Sequence, residues 1–302
     1  MAKNYTVVGQ GAIGSLIAYQ LYQSQLGFNV VLKQKNQHRK PNIFIDFAKN
    51  ETDFYTQLLP DDELITTLFL PLKAYDIVSA FKQVSHRLSP NACIILLNNG
   101  MGVAGAIKPF LKPKQTLLLA SVTHGVLIQD NKIIHTGLGN IYLGFADTTT
   151  KIQPSTIKSL IKQIATIEWQ NDIAKSLWLK LAINACINPI TAINQQRNKS
   201  VLQPAYSVLI RDLCQEISQI AATQYIKLSA QELVEAVKKV AHATGDNYSS
   251  MRQDIANNRK TEVEYINGYL VKIAQKEQIE LVNNQRLYEQ VKALERKQTI
   301  TY

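Results

Sequence analysis

An apolar run, Tyr5-Thr6-Val7-Val8, leads directly into Gly9-Gln10-Gly11-Ala12-Ile13-Gly14, and a helix-like pattern then continues to Leu26. A strand that turns on G-x-G-x-x-G into a helix has one well-understood use. The first glycine permits the tight turn, the second lets the backbone approach a pyrophosphate, and the third allows the helix to pack closely on the strand. The free N–H groups of a helix beginning near Ala12 would then receive the diphosphate. Gly9, Gln10, Gly11, Ala12, Ile13 and Gly14 are therefore candidate cofactor-binding residues, against the alternative of an ordinary glycine turn.

The rest of the first half repeats this punctuation. Short apolar runs at Val30–Leu32, Leu64–Leu70, Ile94–Leu97 and Leu117–Val122 alternate with helical patterns such as Val78–Leu88. Strands separated by single helices lie parallel, which predicts a doubly wound α/β sheet of the Rossmann type. Gly125–Ile128 and Ile133–Thr136, turning at Asp130-Asn131, predict a hairpin, and Ile141–Phe145 a further strand. From about Asp172 the strand patterns stop. Helices are predicted over Ala174–Ile193, Ala205–Ile226, Ala230–Ala243, Ser250–Asn258, Thr261–Lys276 and Asn284–Lys297. A chain of 302 residues, 46% hydrophobic, is long enough for two cores. The expected division is a dinucleotide-binding domain over 1–171 and an all-helical domain over 172–302.

The ends of the strands indicate which dinucleotide. An NAD site places an acid about 20 residues beyond the glycines, whereas NADP needs a cation for its 2′-phosphate. Here Asn29-Val30-Val31-Leu32 runs into Lys33, with Lys35, Arg39 and Lys40 beyond and no acid at the strand end. NADP(H) is the expected cofactor; the competing reading makes these lysines ordinary surface charges.

The net charge of +10 is spread along the chain without a dense basic block or a zinc-finger spacing, so no nucleic-acid partner is expected. Cys93, Cys186 and Cys214 are far apart in sequence and are expected as reduced, buried residues, with no metal site among them. Apolar runs fall short of the ~20 residues of a membrane span and no leader precedes Tyr5, so the cytosol is the expected compartment and no membrane contact is expected.

The segment Leu177 to Ile190 is apolar nearly all round, yet Lys180, Asn184 and Asn188 recur along it every four residues. On a helix they form one slowly turning stripe, and polar groups on a buried helix need partners or a ligand. A desolvated lysine titrates nearer neutrality and can pass a proton to a carbonyl oxygen as hydride reaches the carbon. The alternative is a lysine that snorkels from a helix end beside two bracing asparagines. Glu262 stands at helical intervals before Ile266, Tyr269, Leu270 and Ile273, which turns its carboxylate inward and that of Glu264 elsewhere; an acid in the first turn of a helix reads equally well as a cap. Ser250 with Gln253 fits a capping box, and a helix start there could also seat a carboxylate.

These residues are joined in order by Pro71-Leu72-Lys73, Asn98-Asn99-Gly100-Met101-Gly102, Thr123-His124, Asn247 to Ser250 and Asn267-Gly268. Taken together and over essentially the whole chain, the set resembles the ketopantoate reductase (2-dehydropantoate 2-reductase) family. The resemblance implies that Lys180 is the catalytic lysine and Glu262 its assisting carboxylate. It implies that Asn184, Asn188, Asn198, Asn247 and Ser250, with Asn99, hold the substrate, and that Lys73, Asn99 and Thr123 lie along the cofactor. Lys33 stands where family members carry an arginine for the 2′-phosphate, Asp76 where a neutral amide is familiar, and Lys199 where a glycine follows Asn198. The implied activity is NADPH-dependent reduction of 2-dehydropantoate to pantoate, a step toward pantothenate and coenzyme A, with the active site in a cleft between the domains. No metal is implied, because the lysine supplies the electrophile, and a monomer or homodimer is expected. The alternatives are a reductase of the same architecture acting on another 2-oxo or 3-oxo acid, and a non-catalytic NADP-sensing protein.

Overall fold

A computed structural model describes residues 5–33, 42–147 and 152–299. Lys35, Arg39 and Lys40 lie outside the described residues. The chain forms two compact units, one of Met1–Asn98 with Val103–Ile173 and one of Asn99–Gly102 with Ala174–Tyr302.

The first unit begins β1 (Tyr5–Val8), α1 (Ala12–Gln23), β2 (Phe28–Val31), β3 (Asn42–Ile45), β4 (Glu51–Phe54), β5 (Ile65–Leu70), α2 (Ala74–Val84) and β6 (Leu88–Leu96). It continues α3 (Val103–Ile107), β7 (Thr116–Val122), β8 (Gly125–Gln129), β9 (Lys132–Gly137), β10 (Ile141–Phe145), α4 (Ser155–Gln163) and β11 (Ile167–Trp169). The main sheet has the order β11-β10-β7-β6-β5-β1-β2. From β2 to β7 the strands pair parallel, whereas β10 pairs antiparallel with β7. Chain order reverses between β1 and β5, and in open parallel sheets ligands bind beyond the strand ends at that reversal. Val7, Phe69, Ile95 and Leu118 fill one face of the sheet beneath Leu16, Ile17 and Leu21 of α1.

The hairpin predicted around Asp130-Asn131 is present, and both residues take the left-handed conformation that a tight two-residue turn demands, with φ of 50° and 62°. Its place in the fold was not legible. It joins β3 and β4 in a second sheet of order β4-β3-β9-β8, whose Phe44 and Phe54 are buried with α1, Phe44 stacking on Tyr19 at a centroid distance of 3.7 Å. The helix expected over Val78–Leu88 runs earlier, from Ala74 to Val84, because Leu88 already belongs to β6.

The second unit is helical: α5 (Ile173–Asn194), α6 (Ser207–Thr223), α7 (Ala230–Ala243), α8 (Ser250–Ala256), α9 (Asn267–Glu277) and α10 (Val282–Thr299), the first residue of α5 falling in the other unit. Among the described residues α5 is the one helix long and apolar enough to cross a membrane, and Trp178, Leu181, Ala182, Cys186 and Ile190 of it pack in this unit's core. The single helix expected over Thr261–Lys276 is broken. A short 3-10 turn, Val263–Tyr265, ends at Ile266 with φ −106° and ψ −92°, and α9 starts only at Asn267. The cysteines are free and buried, but Cys186 and Cys214, distant in sequence, bring their sulfurs within 3.9 Å across α5 and α6. Their mutual hydrogen bond and burial push the Cys186 thiol well up, which keeps it protonated and unreactive.

Candidate active site

The three motif glycines of the first unit are required for three different reasons. Gly9 has φ +84°, a conformation open to glycine, and a Cβ there would meet Leu72 Cδ2 at 2.8 Å. A Cβ on Gly14 would lie 2.5 Å from the carbonyl oxygen of Gly9, so the turn closes only without one. Around Gly11 nothing lies within 4 Å of that position, which leaves backbone accessible to a bulky anion at the start of α1. Gly9 N–H donates to Val31 O at 2.8 Å, fixing the turn to the end of β2, and Gln10 Nε2 donates to Thr56 Oγ1 at 2.9 Å. Ala12 and Ile13 form the first turn of α1.

Exposed Lys33 follows β2, and Lys73 caps α2 just beyond β5, so both cations stand at the strand ends that flank the glycine turn. No acid occupies the end of β2. Asp76 is exposed in the first turn of α2, where a negative charge complements the helix N-terminus. Thr123 is exposed beyond β7; its hydroxyl accepts from Asn140 N–H at 2.8 Å and donates to Asn140 O at 3.1 Å. Its neighbour His124 is buried, with Nδ1 3.0 Å from His135 Nε2, and burial pushes its pKa down to about 4.

In the second unit, α5 carries Lys180, Asn184 and Asn188 along one stripe, as the four-residue spacing requires. Part of the Lys180 side chain reaches solvent, yet the packing around its ammonium is dense enough that desolvation dominates. Burial pushes it down to about 8, against the raising effect of the Glu262 carboxylate nearby. Glu262 is itself only 4% exposed, whereas Glu264 is exposed and accepts from Tyr288 Oη at 2.5 Å. The inward turn of Glu262 therefore stands, though it does not come from helical phase: the residue precedes the 3-10 turn and offers no side-chain cap.

Asn99 Nδ2 donates to Glu262 Oε2 at 3.2 Å. The loop that carries Asn99 docks on the same segment, with Met101 N–H donating to Tyr265 O at 2.8 Å. Gly100 makes that docking possible. Its φ is +78°, and a Cβ would sit 2.2 Å from Tyr265 O. Lys180, Glu262 and Asn99 thus form one cluster: a lysine poised near neutrality, a carboxylate, and an amide.

A second cluster lies at the far end of the α5 stripe. Thr191 Oγ1 donates to Ile187 O and Asn188 O, so the Ser249 hydroxyl, 2.7 Å away, donates to Thr191. Ser249 also accepts from Arg252 N–H at 3.1 Å, which makes it the N-cap of α8. The cap expected at Ser250 therefore falls at Ser249, and the capping box with Gln253 does not form. Ser250 is exposed, and Gln253 Nε2 donates to Tyr248 O instead. Asn198 is buried; its N–H donates to Asn247 O and its Nδ2 to Thr244 Oγ1, while its Oδ1 has no partner. The Asn247 side chain is exposed beside it. Thr191 and Ser249 were not singled out from sequence, and only the contact between α5 and α8 reveals them. The division of labour is open to test: Ser249→Ala should lower stability by about 1 kcal/mol in thermal unfolding, and Ser250→Ala should leave unfolding unchanged while raising the KM for the acid substrate.

The family model for ketopantoate reductase PanE/ApbA matches residues 5–148, and that for its C-terminal part matches residues 172–295. The 2-dehydropantoate 2-reductase of Vibrio cholerae is 31% identical over 296 residues, covering 97% of this chain and 98% of its own. The chain belongs to the ketopantoate reductase family. Solved structures of the same fold include the dimeric ketopantoate reductase of Staphylococcus aureus, with TM-score 0.83, 20% identity and coverage of 97% and 99% of the two chains. Another is D-mandelate dehydrogenase bound to NADH and anilino(oxo)acetate, with TM-score 0.86, 20% identity and coverage of 98% and 99%. Both share the fold of this chain.

Proposed function

We propose that this family member reduces 2-dehydropantoate to pantoate with NADPH. The observation that carries the reading is the cluster of Lys180, depressed to about 8 by burial, with the Glu262 carboxylate and Asn99. When bound, the nicotinamide supplies the hydride that adds to C2 of the keto acid.

Lys180 delivers the accompanying proton. As negative charge develops on the ketone oxygen, the ammonium first stabilises it and then gives up its proton, leaving a hydroxyl on C2 and a neutral amine. A lysine near pH 8 is still largely protonated at neutral pH and yet a strong enough acid for this transfer. Glu262 keeps the ammonium in place and offers an acceptor for the substrate's terminal hydroxyl, while Asn99 fixes the carboxylate by donating to Oε2. Asn184 and Asn188 continue the polar stripe along the substrate, and Ser250 with Asn198 and Asn247 receives its carboxylate. Asn198 is buried and its unpaired Oδ1 accepts, so that oxygen suits a substrate hydroxyl, and only its Nδ2 would serve the carboxylate.

The cofactor assignment rests on the accessible backbone at Gly11, on the absence of an acid at the end of β2, and on Lys33 in the position a 2′-phosphate would need a cation. A lysine meets phosphate as a point charge without the two-pronged geometry of arginine. Lys33→Ala should accordingly raise the KM for NADPH and leave that for NADH nearly unchanged; equal changes for both would remove Lys33 from the 2′-phosphate. Loss of nicotinamide absorbance on addition of 2-dehydropantoate, with pantoate recovered, tests the reaction itself.

A further inference from the structure

Helix α5 contains a proline at position 189, in the interior of the helix that carries Lys180, Asn184 and Asn188. Proline has no N–H, so the carbonyl four residues earlier, that of Ala185, loses its helical donor. Ala185 is fully buried, and water is not at hand to replace the missing bond.

The donor comes from elsewhere in the unit. Asn267 Nδ2 gives one hydrogen to Ala185 O at 3.1 Å and the other to Asn284 Oδ1 at 3.1 Å. Asn284 in turn donates its N–H and Nδ2 to Glu216 Oε2 at 2.9 and 2.8 Å, and Asn283 donates its N–H and Nδ2 to Oε1 at 2.8 and 3.0 Å. Asn267 and Asn284 are completely buried and Glu216 nearly so. A run of hydrogen bonds thus leads from a buried carboxylate on α6, through the start of α10, to the carbonyl that Pro189 orphans. Each amide polarises the next, and the two acceptors on Asn267 Nδ2 determine which way its amide faces.

The two ends of the last bond matter for the chemistry. Ala185 adjoins Asn184 and lies between Lys180 and Asn188, while Asn267 opens α9 shortly after Glu262. The bond therefore ties the backbone that carries the lysine to the segment that carries its carboxylate. We propose that Asn267 is a positioning residue, which replaces the helical bond lost at Pro189 and thereby holds Lys180 and Glu262 in register for proton transfer. This inference rests on the roles given to Lys180 and Glu262 above.

The test pairs Asn267→Leu, of similar volume but without a donor, with Pro189→Ala, which returns an N–H to position 189. In Asn267→Leu, kcat should fall by about tenfold or more, as a small misplacement of reacting groups produces, with the KM for 2-dehydropantoate changed much less. The alkaline limb of the kcat/KM profile should move to lower pH, because Glu262, which raises the Lys180 pKa, is no longer held against it. Adding Asn267→Leu to Pro189→Ala should cost no more than about threefold, since the helix then supplies its own donor. If Asn267→Leu does not accumulate as folded protein, Asn267→Ala, which also lacks a donor, is read in the same way. Wild-type kcat and pH profile in the single variant, a fall in Tm alone, or a loss undiminished in the Pro189→Ala background would each overturn the proposal. Failure of the underlying reading looks different: Lys180→Ala would then keep normal turnover, whatever Asn267 does.

Discussion

Replacing Lys180 by alanine is expected to lower kcat for ketone reduction by roughly 10²–10⁴-fold, the range of a lost general acid, with a smaller change in KM. The asymmetry follows from when the lysine acts. In the proposed mechanism its contact with the ketone oxygen strengthens only as that oxygen becomes negative, so the variant should lose transition-state stabilisation and little ground-state binding. Protein stability should not suffer. Folding lowers the Lys180 pKa from its ordinary 10.5 to about 8, so the folded state holds this proton less tightly than the unfolded chain does. The lysine therefore opposes folding below about pH 8, and that opposition is relieved as pH rises from there toward 10.5. The variant's Tm at neutral pH should equal or exceed that of the wild type. The same pKa gives the sign of the activity profile. The proposed reduction needs the ammonium, so kcat/KM in the wild type should fall as pH rises through about 8, and the fall should vanish in Lys180→Ala. A variant with normal kcat would remove the lysine from the chemistry.

Substrate choice should show an effect of similar size. Glu262, Asn184, Asn188 and Asn99 present more hydrogen-bonding groups than a bare 2-oxo carboxylate can engage, and two of them, Glu262 and Asn188, are buried. A keto acid that keeps the branched carbon skeleton but lacks the terminal hydroxyl, 2-oxoisovalerate, would leave some of these groups unpaired in a dry site. Sites built to bind a hydroxyl reject analogues lacking it by up to ~10⁴-fold, so kcat/KM should favour 2-dehydropantoate by at least about 10²-fold. Glu262→Gln should erode that ratio, because in the proposed role the carboxylate accepts a hydrogen bond from the hydroxyl and a glutamine offers a weaker acceptor. A ratio that survives the substitution intact would assign the hydroxyl to another residue, and equal rates for the two acids would set aside pantoate as the product.

The features that the sequence made legible are those written in contiguous residues. The turn from β1 through Gly9 and Gly14 into α1, the hairpin at Asp130-Asn131 and the stripe of Lys180, Asn184 and Asn188 each depend on spacing within one or two elements. What escaped depends on distant pairing. Strand β3 lies parallel to β9, matching Ile43 with Lys132, and no local pattern in Asn42–Ile45 announces a partner so far along the chain. The helix cap fell one residue early, at Ser249, because Thr191 on α5 draws that hydroxyl in; a capping pattern read from α8 alone cannot register the pull. Glu262 was turned inward from a periodicity that the chain does not follow, since the segment is a 3-10 turn whose Tyr265 carbonyl accepts from Met101 N–H. Asn267 left one trace in sequence, a proline inside an otherwise uninterrupted helical pattern, which signals an orphaned carbonyl without saying what satisfies it.

The chemistry can be followed in a single atom. Purified protein supplied with NADPH carrying deuterium at the transferable position of the nicotinamide, together with 2-dehydropantoate, should yield pantoate with one deuterium at C2 for each NADPH consumed, and Lys180→Ala should form the same labelled product far more slowly. Pantoate without the label, or no consumption of NADPH with this acid while another 2-oxo acid is reduced, would contradict the account.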